Sequence, residues 1–220
     1  MPSATQVRLA SSTAPVAQPT RPWPGCLGTS AAEVPLVIHP ERLAQLEAGG
    51  WRAYYDRNWP KLIQLVVQLN QEQFHIPFPL SVVAAYHVAR GSIAWAPVKN
   101  DPEVVRRHFT RFYRIAKRWS GMQFEPRRAA ELEVGYWIEH RRLVGNPDKT
   151  SFIEAMTALH SHLFGLPPER MRDSAEWRIR ANNTVDLITG GLSKDPEKDW
   201  AKLEAELVAC YRSIQRQLEG

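Results

Sequence analysis

Apolar residues recur every three or four positions through most of this chain, the spacing that gathers them on one side of a helix. Val105, Phe109, Phe112, Ala116 and Trp119 form one such stripe, and no segment alternates strictly enough to read as a strand. The punctuation agrees. Asp101-Pro102-Glu103 and Asp195-Pro196-Glu197 each set a capping acid, a proline at the first helical position and an acid in the first turn. Glu125-Pro126 opens another helix, which Gly145 and Pro147 close. Helices are therefore expected at 40–48, 50–57, 60–74, 80–95, 102–119, 127–144, 151–164, 168–189 and 196–218, the Gly49-Gly50 pair stopping the first. The shortest of these add only a turn or two. The expected fold is all-α: one compact, largely antiparallel bundle of about six to seven helices over residues 39–220.

The segment Leu80–Trp95 is apolar almost all round, which predicts a central, buried helix. His87 and Arg90 interrupt it beside the small residues Ala84, Gly91 and Ala94, which would let a neighbour approach closely. A buried arginine needs a carboxylate. Glu133 is the expected partner, with Asp186 and Glu72 as the other candidates.

Residues 1–38 differ in kind, being rich in Ser, Thr, Ala and Pro with no acid before Glu33. Such a stretch buries too little surface to offset its ordering entropy, so a flexible, partner-binding arm is expected rather than an organelle transit peptide. Cys26 and Cys210 belong to no CxxC pair, which argues against a disulfide framework and for a reducing intracellular compartment such as the cytoplasm. No apolar run reaches the roughly 18–20 residues that span a bilayer. The eight tryptophans supply large apolar anchors for a helical core.

Charge changes the picture at one place. Residues 101–121 carry Arg106, Arg107, Arg111, Arg114, Lys117 and Arg118 against Asp101 and Glu103, a local balance of +4 in a chain of net +5. These cations fill the half of the helix opposite the Val105/Phe109/Phe112 stripe. They predict an acidic partner: protein, nucleic acid or an anionic membrane surface.

Interior chemistry is suggested by the helix at 127–144. Glu133 and His140 both fall on its apolar side with Tyr136 and Trp137, about 20° apart in azimuth and about 10 Å apart along the axis. With His87 and Arg90 they could build an acid–base or cofactor pocket, or merely a buried ion pair. A spacing of seven residues is too long for the pair to chelate one ion, and no metal site is expected. His160 and His162 point about 160° apart on a helix, so they are expected at a surface or boundary. Ser174, Arg178, Asn182 and Asp186 recur every four residues and share a face, expected to be solvated although it could line a pocket. Asn70 and Gln73 on the apolar side of their helix suggest amide hydrogen bonds between helices. The Asn182-Asn183-Thr184 sequon falls mid-helix and is a chance match. No GxGxxG, GxSxG, HExxH or glycine-rich phosphate loop occurs.

Two functional readings follow. The first is a non-enzymatic binding or assembly subunit that docks an acidic partner through the arginine-rich helix. The alternative is a helical-bundle enzyme, of oxidoreductase or acid–base type, in which Glu133, His140, His87, Arg90 and Tyr136 surround a small molecule or metal cofactor whose identity the sequence leaves unknown.

Overall fold

Capping side chains open helices where the sequence places them. Asn58 accepts a hydrogen bond from the Lys61 amide, Asp101 from Glu103, Glu125 from Arg127 and Arg128, and Asp195 from Lys198. The computed structural model describes residues 37–220. They form α1 (Pro40–Tyr55), α2 (Trp59–Phe74), α3 (Leu80–Trp95), α4 (Pro102–Ser120), α5 (Pro126–Leu143), α6 (Thr150–Phe164), α7 (Pro168–Thr189) and α8 (Pro196–Glu219). No strand occurs among the described residues, so the fold is all-α. Eight helices stand where about six or seven were expected. Nearly all of the expected arm, residues 1–36 including Cys26, lies outside the described residues.

One expected stop is not a stop. The helix runs straight through Gly49-Gly50, joining two expected segments into α1. A Cβ at position 49 would lie 3.3 Å from Leu65 Cδ1 of α2, and Gly50 borders the interior cavity described below. Gly49 lets the Leu65 side chain of α2 approach closely while the backbone stays helical, at the modest cost of glycine in a helix.

The topology is a ring. Each helix packs on its neighbours in sequence, from α1 on α2 through to α7 on α8, and α8 returns to pack on α1. Two apolar clusters line this circuit: one runs from Phe74 through α3–α7, the other joins α1, the end of α7 and α8. No described helix sits at the centre. This corrects the expectation for α3, in which only Ser81, Ala84, Ala85 and Gly91 are buried. Of these, Gly91 presses against α4: a Cβ there would come within 2.7 Å of the Phe109 ring. The remaining circumference of α3 faces the cavity on one side and solvent on the other.

Candidate functional site

A ring of helices must fill its middle or leave it open. Here it encloses a cavity of about 550 Å³, to which all eight helices contribute side chains. That volume lies in the range that takes a drug-sized molecule. The wall is chiefly apolar and aromatic, with Trp51, Phe74, Trp95, Phe109, Trp137 and Phe164 among its residues. Exposed Tyr55, Ala96, Arg141 and Val144 also border it, so it opens to solvent beside the C-terminal ends of α1, α3 and α5.

Glu133 lies about two turns inward from that mouth along α5. Tyr113 Oη donates to its Oε2 at 3.0 Å and Trp137 Nε1 to its Oε1 at 2.9 Å. No cation pairs with it among the described residues. By area Glu133 is only half-buried, because its open side borders the cavity while protein encloses the rest. Burial pushes its carboxyl above the ordinary value of 4.5; the Tyr113 and Trp137 bonds and the Arg178 charge pull downward without cancelling it. Burial, reinforced by Glu133, likewise pushes the Tyr113 phenol well up, so Tyr113 remains a donor.

The α7 stripe forms another part of the site, which corrects the solvated face expected for it. Ser174 and Asn182 are buried, and Arg178 and Asn182 border the cavity. Arg178 makes a two-pronged ion pair with Glu47 of α1, and Tyr211 Oη of α8 donates to Glu47 Oε2 at 2.7 Å. Burial opposes the Arg178 charge, but Glu47 outweighs it and holds the guanidinium protonated. Its face lies over the Trp51 ring at 5.0 Å. Arg178 Nε nevertheless has no hydrogen-bond partner among the described residues, and neither has Asn70 Nδ2. Both residues border the cavity. The interhelical amide bond expected of Asn70 is therefore not made by its nitrogen, and both nitrogens are packed against protein and not open to the cavity space.

The fourth stripe residue, Asp186, meets His140: both carboxylate oxygens lie 3.0 Å from His140 Nε2. The imidazole stacks on Phe152 with centroids 5.0 Å apart. His140 borders the cavity one turn in from Val144, and the hydrogen bond to Asp186 fixes its orientation and leaves Nδ1 for other work. Close by, the protein around Tyr55 displaces enough water from its phenol, although the residue is exposed at the mouth, that desolvation and the Asp186 charge push it up to about 12. Tyr136 stacks on Phe152 and also borders the cavity.

His160 is buried, not at the expected boundary. Its Nδ1 lies 2.8 Å from Ser174 Oγ, and that hydroxyl donates to the Met171 carbonyl. The hydroxyl must then accept from His160, which puts the proton on Nδ1 and leaves Nε2 a bare acceptor. Burial lowers this imidazole to about 3, so it is neutral. His162 is the member of the pair at the boundary, with Nε2 2.9 Å from the Glu125 carbonyl.

Other expected site residues lie elsewhere. His87 and Arg90 do not border the cavity; His87 Nδ1 lies 3.3 Å from His108 Nδ1 of α4, and Arg90 is exposed. Arg90 pairs with none of its expected partners, since Glu133 is bonded to Tyr113 and Trp137, Asp186 to His140, and Glu72 to His39 at 2.6 Å. The cause is the ring, which turns position 90 outward. Among the described residues no group of three or more His, Cys, Asp or Glu is placed to hold a metal ion, and no helix is long and apolar enough to cross a membrane. Cys210 is buried, its thiol pushed up to about 12 by desolvation, so it stays protonated. Glu47, Tyr113, Asn70 and His160 are cavity residues that sequence reasoning did not assign to the site. Comparison with family models, curated proteins and solved structures finds no match for this chain.

Proposed function

We propose that the ring binds one largely apolar or aromatic small molecule in its cavity and uses Glu133 as a proton carrier toward it. The carrying observation is a carboxyl group set about two turns inside the mouth, without a counter-charge, on the wall of a ligand-sized cavity. A carboxylate placed only for stability would have a cation; here the nearby cation, Arg178, is already occupied by Glu47. An acid with a raised proton affinity is suited to general acid–base work. His140, oriented by Asp186, supplies a second proton site near the mouth.

Native mass spectrometry of the protein purified from its source tests this reading, joined to tryptophan fluorescence, since Trp51, Trp95 and Trp137 all border the cavity. The expected result is a bound apolar molecule whose addition to the emptied protein changes the fluorescence. Glu133→Gln is expected to keep binding within about tenfold while slowing turnover about 10²–10⁴-fold. A protein that never retains a ligand and shows no response to apolar or aromatic small molecules would remove the proposal.

A second reading concerns α4. Of its six cationic groups only Arg106 has an ion pair among the described residues, with Glu103. Arg107, Arg111, Arg114 and Arg118 stand exposed in a row, and this supports docking of an acidic partner, as a subunit of a larger assembly or on a polyanion. Retention on immobilised heparin that falls steeply with salt, and is lost in Arg107→Glu/Arg111→Glu/Arg114→Glu, is the expected behaviour.

A further inference from the structure

In a single ring of helices each member turns one face inward and the opposite face to water. The outward face should be polar, and α3 breaks that rule. Val82, Val83, Tyr86 and Ile93 keep between 40% and 53% of their surface in solvent. Phe78 and Val98, just beyond the two ends of the helix, keep 74% and 90%. Positions 82, 83, 86, 90 and 93 fall on one side of α3 at helical spacing, so the exposure is a continuous stripe with Arg90 inside it. Contiguous apolar surface of this kind marks an interaction site.

The charge beside the stripe says what covers it. α3 packs on α4, and the contact edge carries His87 and His108. Tyr86 of the stripe lies with its ring centroid 6.4 Å from that of His108. The charged neighbours that act on this imidazole pair are Arg90, Arg107 and Arg111, with no carboxylate among them. The arginine row of α4 continues from there through Arg114 and Arg118. An apolar stripe bordered by a row of uncompensated arginines matches the two layers of an anionic membrane surface, acyl chains beneath phosphate headgroups. A nucleic acid would use the arginines and leave the stripe wet.

We infer that the joined outer faces of α3 and α4 form a docking surface for an anionic phospholipid bilayer, with the α3 stripe entering the acyl boundary and the α4 arginines taking the lipid phosphates. This rests on the docking role given to α4 above and names its partner. The surface also runs into the cavity mouth: Ala89 and Ala96, which border the cavity, adjoin Ile93 on the helix circumference. A protein seated this way opens its apolar cavity toward the membrane, where an apolar ligand would be dissolved.

Vesicle flotation of the full chain tests the inference, using phosphatidylcholine alone and phosphatidylcholine with phosphatidylserine. Binding is expected only to the anionic vesicles. Arg107→Glu/Arg111→Glu/Arg114→Glu is expected to weaken it at least about a hundredfold. Val83→Ser/Tyr86→Ser/Ile93→Ser, at exposed positions and checked for an unchanged melting temperature, is expected to weaken it about tenfold or more and to leave heparin retention intact. Heparin retention that needs the arginines, without any flotation on anionic vesicles, would overturn the lipid assignment and spare the α4 reading. Loss of both would overturn the two together. Flotation indifferent to the serine variant would overturn the role of α3.

Discussion

At the scale of single residues, two groups make stability depend on pH in opposite senses. Glu133 has a raised proton affinity when folded, so folding favours its protonated form. Its effect is a cost that sets in as pH rises above the ordinary carboxyl value of 4.5 and grows until the folded group ionises. Gln resembles the neutral acid: its oxygen can accept from Trp137 and its NH₂ can donate to Tyr113. Glu133→Gln is therefore expected to raise stability at pH 8, and to change it little at pH 4, in thermal melts across pH. Destabilisation at pH 8 would mean that the ionised form is structurally required. His160 works the other way. Its folded value of about 3 against an ordinary 6.5 means the unfolded chain takes up a proton that the native protein refuses. The stability it contributes is whole above pH 6.5 and is lost as pH falls toward 3, about 2 kcal/mol of it by pH 5. His160→Gln is expected to flatten that acid limb of the stability profile; an unchanged limb would assign acid sensitivity to other groups. The burial of His160 was latent in the sequence. The angle that keeps His160 and His162 from sharing a metal also requires that, on a helix with one wet side, one of them turns inward.

At the scale of elements, boundaries were legible because capping is local chemistry. The Asp-Pro-Glu signatures open α4 and α8 where the sequence places them, and Glu125-Pro126 opens α5. The facing of α5 was legible too, since Glu133, Tyr136 and His140 follow the helical repeat onto the cavity wall. The repeat of four along α7 identified a face but not its surroundings. The Glu47 carboxylate that holds Arg178 lies 131 residues earlier, and no local pattern encodes that distance. Nor could local pattern separate Gly49-Gly50 as a helix stop from the same pair as a close approach. The close approach expected beside Gly91 is present at α4, and it is testable. Ala at position 91 gains about 1 kcal/mol of helix propensity but drives its Cβ into the Phe109 ring, which can yield only by giving up its edge contact with Trp137 and moving toward the cavity it borders. Gly91→Ala is expected to lower stability by about 1 kcal/mol net in denaturant melts. The loss should shrink when Phe109→Leu is added, by more than the two single effects predict. Simple additivity would show that the helices separate freely at this point.

At the scale of the whole molecule, the ring explains both where sequence reasoning about α3 failed and what holds the circuit closed. A helix apolar on every side is normally buried, but that inference assumes a solid bundle with a middle position, and a ring has none. The closure occurs where α8 returns to α1, and there the Glu47–Arg178–Tyr211 group ties α1, α7 and α8 together from the cavity side. These charges are largely withdrawn from water, so removing one leaves the other stranded. Arg178→Met is expected to cost about 3–5 kcal/mol, because Glu47 would keep its desolvation without its partner. Adding Glu47→Leu is expected to restore most of that loss, since two apolar side chains there need no counter-charge. Chemical denaturation of the two single variants and the double variant decides the matter. Recovery in the double variant, together with weaker retention of the cavity ligand, would show that this ion pair is kept for what the ring holds more than for holding the ring. If the double variant instead falls by the sum of the single losses, the charges themselves are what closes the circuit, and the cavity is a consequence of that closure.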